Sequence, residues 1–241
     1  MISARLRGGL GNQLFIVCAA LALAARTGQS AVFERSACYG DRPAYWNSVF
    51  SALTCVPQLP QLRVLGETGF RFSPLAGTDV VLDGYFQSYL YFADVDVRSY
   101  LRLPTYPLSN ATSVHFRRGD YKRWPALHPL LTEAYYRAAL AHVRPTRVLF
   151  FCEDQDWEEV KPMVAALQED FPVPFERADP TLSDVEHLAL MRSCRSHVIA
   201  NSTFSWWGAY LADSEMVCYP KTWLGGIDTR DLFPAHWHCI E

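Results

Sequence analysis

Short β-rich stretches alternate with helical patterns along the chain, and that rhythm leaves few folds open: parallel sheets whose strands are joined by crossover helices. Candidate strands are Ile2–Leu6, Ala31–Glu34, Val80–Asp83, Thr112–Phe116, Arg147–Cys152, Ser196–Ala200 and Met216–Tyr219. Candidate helices are Asn12–Arg26, Tyr89–Leu101, Thr132–Val143, Asp156–Glu169, Ser183–Cys194 and Phe204–Ala212. Ser183 with Glu186, and Asp156 with Glu159, fit the reciprocal capping box at a helix start. The class is α/β.

The stretch Leu103–Ser113, "LPTYPLSNATS", combines two prolines with polar turn residues and reads as a linker. It predicts an N-terminal domain over 1–105 and a C-terminal domain over 106–241, each beginning with a strand that feeds a distinctive turn. Two Rossmann-like domains facing each other across a cleft would place ligands at the carboxyl ends of both sheets.

Composition narrows the function classes. Half of the 241 residues are apolar and 20% are charged, enough for a buried core and unlike a disordered chain. A net charge of -3 supplies no basic field for nucleic acid, so an anionic ligand must meet a local cluster of arginines. Seven cysteines carry no C-x-x-C pairing and point to buried thiols in a reducing compartment. The apolar run Leu14–Ala25 is shorter than a membrane span. The expectation is a cytoplasmic protein, or a soluble module of a larger one, with no stable membrane insertion.

Three turns carry chemistry. Arg7-Gly8-Gly9-Leu10-Gly11-Asn12-Gln13 follows a strand and opens an apolar helix, where glycines allow close backbone approach to a ligand. Leu14 stands where a dinucleotide fingerprint would need its last glycine, and no P-loop lysine is present. His115-Phe116-Arg117-Arg118-Gly119-Asp120-Tyr121 puts two arginines at a strand's carboxyl end, which suits a diphosphate because a guanidinium donates two parallel hydrogen bonds and stays charged. The alternative is pairing of these arginines with carboxylates. Asn201-Ser202-Thr203-Phe204-Ser205-Trp206-Trp207 opens a helix whose free amides and hydroxyls also favour an anion, with plain N-capping as the alternative.

Together these turns resemble the α-1,2-fucosyltransferases of glycosyltransferase family 11, whose motifs are "GGLGNQ", "HxRRGDY" and "NSxFSWW". The resemblance extends to Gly84-Tyr85-Phe86-Gln87-Ser88 with Tyr91 and Phe92, to Leu190-Met191 with Cys194, and to Pro220-Lys221-Thr222-Trp223. It implies a GT-B fold, GDP-β-L-fucose as donor, a sugar hydroxyl on a glycan as acceptor, inversion to an α-fucoside, and no metal or other cofactor. Asp94-Val95-Asp96 has the form of a metal motif but falls in the helix expected before the linker.

The resemblance also implies site residues. Donor binding would fall to Gly9, Gly11, Asn12, Gln13, His115, Arg117, Arg118, Glu153, Asp154, Asn201, Ser202, Thr203, Phe204 and Ser205. Glu186 and His187 are candidates against the guanine base, His187 occupying the position of the family's usual aspartate. The catalytic set is Arg117, Asp120, Asn12 and His115. Asn12 would steady the glycosidic oxygen, as in the similar turn of protein O-fucosyltransferases. Asp120, His115 and His128 are candidates for the base, as is the departing phosphate itself. Gln87, Tyr91, Trp124 and His128 are expected on the acceptor side. Other readings are a GDP-sugar transferase of different acceptor or linkage, a nucleotide-dependent oxidoreductase, and a glycan-binding or adhesion module presenting Arg118-Gly119-Asp120.

Overall fold

The computed structural model describes residues 1–40 and 42–241. These form two compact units, one of Met1–Leu103 with Asp228–Pro234 and the other of Pro104–Ile227 with Ala235–Glu241. The predicted linker is shorter than its sequence suggests, because Ser109–Ser113 already belong to a strand.

In the first unit, strands Ile2–Ala4 (β1), Arg63–Gly66 (β2) and Val80–Asp83 (β3) make a parallel sheet in the order β1-β3-β2. β2 escapes a reading by hydrophobic pattern because it is an edge strand with exposed Arg63 and Val64. Helix α1, Leu10–Thr27, follows β1 and is apolar nearly all round, so it is buried from Leu14 to Ala24. It is longer than the apolar run suggests. By length and composition it could cross a membrane, yet most of it lies inside this unit. Gly28 ends it in the left-handed conformation, at φ 64°. The predicted helix Tyr89–Leu101 is instead two 3₁₀ turns, Tyr89–Tyr91 and Val97–Tyr100, and Arg26 of α1 pairs with Asp94 between them.

The second unit holds a six-stranded, wholly parallel sheet of Ser109–His115 (β4), Val148–Phe151 (β5), Phe175–Arg177 (β6), Cys194–Val198 (β7), Met216–Pro220 (β8) and His238–Ile240 (β9), ordered β6-β5-β4-β7-β8-β9. Helices Glu133–Val143 (α2), Trp157–Asp170 (α3), Asp184–Arg192 (α4) and Thr203–Tyr210 (α5) connect them. Val114, Val148, Phe150, Val198 and Cys218 face α2 and α3, where Tyr136, Leu140, Val160 and Leu167 complete a core. Parallel strands covered on both faces read as unbroken apolar runs, as "VLFF" does in β5.

Of the two capping boxes, Ser183 and Glu186 form theirs at α4. Asp156 and Glu159 do not. Asp156 is buried, and its carboxylate accepts from the backbone N–H of Gly119 at 2.7 Å, while Glu159 pairs with Arg118 and Lys122.

Candidate active site

In the second unit, β5, β4 and β7 are parallel neighbours, so the segments leaving their carboxyl ends converge on one edge of the sheet. These segments are Cys152–Asp156, Phe116–Arg123 and Ile199–Ser202. Arg117 donates to Glu153 and, at 2.5 Å, to Asp120, and lies over the Tyr121 ring. Its Nε is buried without a partner. Burial opposes its charge, but Glu153 and Asp120 beside it keep the guanidinium firmly protonated. Both carboxylates are substantially exposed, at 39% and 45% of their side chains, so a stronger anion can displace them.

Arg118 is committed elsewhere. Its Nε and Nη2 donate to Glu159 of α3 and its Nη1 to the Leu131 carbonyl at 3.1 Å, which fastens the segment to its neighbours. Gly119 has φ 27°, and a Cβ there would come within 3.1 Å of Glu153 Oε2. Tyr121 donates to the Asn201 carbonyl at 2.8 Å, bonds Ser202 and stacks on His128 at 4.4 Å. Burial pushes its hydroxyl up to about 12, so it stays a neutral donor.

His115 ends β4 as a buried ring 5.8 Å from Phe204, with Nδ1 unpartnered. Burial, with the charge of Arg117, lowers it to about 3. A neutral imidazole so reluctant to take a proton is a poor general base near pH 7. Burial also lowers His128.

At the start of α5 the polar side chains hold local structure. Asn201 Nδ2 donates to the carbonyls of Pro129 and Trp223, and Ser205 donates back to Ala200 and Ser202, so both hold loops together. Ser202 caps α5 by accepting from the Phe204 N–H. Glu186 is spent on its capping box, and His187 donates Nε2–H to the Asp179 carbonyl at 2.8 Å while meeting Phe151 edge-on. Asp154 receives Nη2 of Arg177, whose Nε is likewise buried without a partner and whose guanidinium lies 4.7 Å over Trp157. Arg177 closes a short edge strand that the hydrophobic pattern does not mark. Trp124 is 68% exposed.

The first unit has its own cluster. Gly8, at φ 70°, is forced to be glycine because a Cβ would come 2.5 Å from Asn12 Nδ2. Gly9 starts α1 with no side-chain cap, and Gly11 is buried in the first turn. Gln13 donates to the carbonyls of Gly8 and Pro43, both at 2.8 Å, and Asn12 accepts from Gln87 at 3.0 Å. Arg7 pairs with Asp83 and lies 5.7 Å from the Tyr85 ring centre. Tyr91 is part of the core, its ring against Phe72 and Phe86 and its hydroxyl accepting from the Ser73 N–H. Among the described residues, no group of three or more His, Cys, Asp or Glu side chains is arranged to hold a metal ion.

Two units with parallel sheets, a glycine turn opening the first helix and an arginine segment at the carboxyl edge of the second sheet define an α/β chain of the GT-B type. The fold is shared with NodZ, a fucosyltransferase from Bradyrhizobium: its alpha-1,6-fucosyltransferase structure co-crystallized with GDP superposes with a TM-score of 0.51 at 13% identity, over 88% of this chain and 92% of that one. The sequence profile of Glycosyl transferase family 11 matches residues 102–226, a little over half of the chain, and the chain belongs to that family. Two Escherichia coli relatives are similar to it. The O-antigen biosynthesis glycosyltransferase WbnK is 31% identical over 138 residues, 54% of this chain and 44% of that protein. An alpha-1,2-colitosyltransferase is 32% identical over 145 residues, 55% of this chain and 48% of that protein. The chain thus spans about half the length of the relatives it matches.

Proposed function

We propose that this protein transfers L-fucose from GDP-β-L-fucose to a sugar hydroxyl with inversion, forming an α-1,2 linkage to a galactose-like residue, without a metal ion. The observation that carries the reading is Arg117, a part-buried guanidinium just past the end of β4 with an unpartnered Nε–H and two part-exposed carboxylate partners. Diphosphate oxygens accept the same donors with equal or greater charge. The family membership and the likeness to a fold crystallised with GDP support this choice of ligand.

In the transfer, the bond from the sugar C1 to the β-phosphate oxygen breaks as the acceptor oxygen bonds to C1, and the acceptor proton must leave. Arg117 stabilises the charge gathering on the departing diphosphate. His115 makes a poor proton acceptor because burial holds it neutral. Asp120 is the better candidate. Its part-exposed carboxylate accepts from Arg117, so it stands beside the group that would hold the diphosphate.

A second reading changes only the donor sugar. The similarity to a protein named alpha-1,2-colitosyltransferase supports a colitose donor, colitose being L-fucose without its 3-hydroxyl. Release of GDP from each donor, with lactose as acceptor and EDTA present, tests both readings. The main one expects faster turnover of GDP-fucose and no loss on chelation. Preference for GDP-colitose selects the second, and loss of turnover with EDTA defeats the metal-free mechanism.

A further inference from the structure

Beyond the family's motif segments, one carboxylate organises the turns of the first unit. Glu67 follows β2 directly, and its half-buried side chain accepts two consecutive backbone N–H groups, Tyr85 to Oε2 at 2.7 Å and Phe86 to Oε1 at 2.8 Å. The backbone there is strained to match. Phe86 sits at φ 52°, a left-handed conformation that bulky side chains rarely adopt. Gly84 has to be glycine because a Cβ would collide with the Glu67 side chain. Strain held in place by a specific bond is an observation from which function can be argued. What this loop presents is Gln87, whose amide donates to Asn12 Oδ1 at 3.0 Å at the start of α1, and Tyr85, whose ring meets Arg7.

We infer that Glu67 is a positioning residue: by clamping the Tyr85 and Phe86 amides with its two oxygens, it fixes Gln87 against Asn12 and so sets the geometry of the glycine turn that opens α1. The inference rests on the transferase reading for its kinetic consequence, while the clamp itself stands on geometry alone. Only a carboxylate of this length does the work. A glutamine keeps one acceptor and turns an NH2 toward the second amide, and an aspartate is too short to reach both.

The test uses the full chain with Glu67→Gln, Glu67→Asp and Gly84→Ala, the last displacing Glu67 without altering its charge. Amide hydrogen exchange at Tyr85, Phe86 and Gln87 should rise at least tenfold in each, with the melting temperature kept within a few degrees. GDP affinity by calorimetry should be unchanged, since Arg117 lies in the other unit. For transfer from GDP-fucose to lactose, kcat/KM should fall at least tenfold in Glu67→Gln. Gln87→Ala should cause a similar fall, and the double variant little more than either alone, because both act through one contact. Wild-type exchange in all three variants, or additive losses in the double variant, overturns the inference. If the wild-type chain releases no GDP from GDP-fucose, the transferase reading fails, and the exchange measurements alone decide the clamp.

Discussion

Replacing Arg117 offers the sharpest perturbation of the proposed donor site, because its bonding can be accounted for donor by donor. In the structure one Nη serves Glu153, the other serves Asp120, and Nε–H serves nothing. A phosphate oxygen that takes Nε–H makes a charge-assisted bond where the structure has none, worth about 1.5–3 kcal/mol. One that takes an Nη–H merely replaces a carboxylate, a near-even exchange. Arg117→Ala also leaves Glu153 and Asp120 facing the diphosphate without a counter-charge, a repulsion of about 1–2 kcal/mol at this level of exposure. The total is about 2.5–5 kcal/mol, a loss of GDP affinity of roughly two to four orders of magnitude. Arg117→Lys keeps the charge and loses the fork, so its expected loss is roughly ten- to hundredfold. Glu153→Gln should act oppositely and tighten GDP, since it removes a competitor for the guanidinium. Calorimetric titration with GDP reads all three. Affinities within threefold of wild type in both arginine variants would refute the clamp, and weaker GDP binding in Glu153→Gln would refute the competition argument.

Three further predictions concern stability. Burial holds His115 and His197 at about 3, below the value near 6.5 of an unfolded chain. As pH falls below about 6.5 the unfolded state takes up protons first, so stability declines by up to about 1.4 kcal/mol per pH unit for each histidine until about 3. Urea unfolding between pH 7 and 5 should show this slope, and His197→Asn should reduce it; an unchanged slope contradicts the assignment. Asp156→Ala orphans the Gly119 N–H and loosens Lys122, and should cost about 1.5–3 kcal/mol in denaturant unfolding; a neutral effect shows that the bond is dispensable. Gly208→Ala drives a Cβ into buried Met191 between α4 and α5, at a cost of about 1–3 kcal/mol by thermal unfolding; combined with Met191→Ala, the total loss should be smaller than the sum of the two single losses, and strict additivity contradicts the clash.

The parts legible in sequence are those where local pattern and tertiary role agree. β5 and β8 are continuous apolar runs, VLFF and MVCYP, and Ser183 with Glu186 caps α4 as its spacing promises. Where a residue's partner is distant in sequence, pattern misleads. Asp156 and Glu159 have capping-box spacing, but the segment after β4 claims both, because a buried carboxylate facing Gly119 and two basic side chains gain more there than at the start of α3. Arg117 and Arg118 look equivalent on the page. Only the packing of α3 against the loop separates a guanidinium locked onto Glu159 and Leu131 from one with a free N–H. Tyr89–Leu101 carries a helical pattern, yet Ser88 caps a single 3₁₀ turn, and the chain then bends to where Arg26 meets Asp94. Arg177 and Glu67 lie on or beside short, half-exposed strands, and no local signal marks either.

The most direct test of the central claim is GDP released from a panel of GDP-fucose, GDP-colitose, GDP-mannose and UDP-galactose with lactose as acceptor, the product linkage being read by nuclear magnetic resonance. The account predicts release from GDP-fucose and an α-1,2-fucosylated galactose, both lost in Arg117→Ala. No release from any GDP-linked sugar, or full activity in Arg117→Ala, would contradict it.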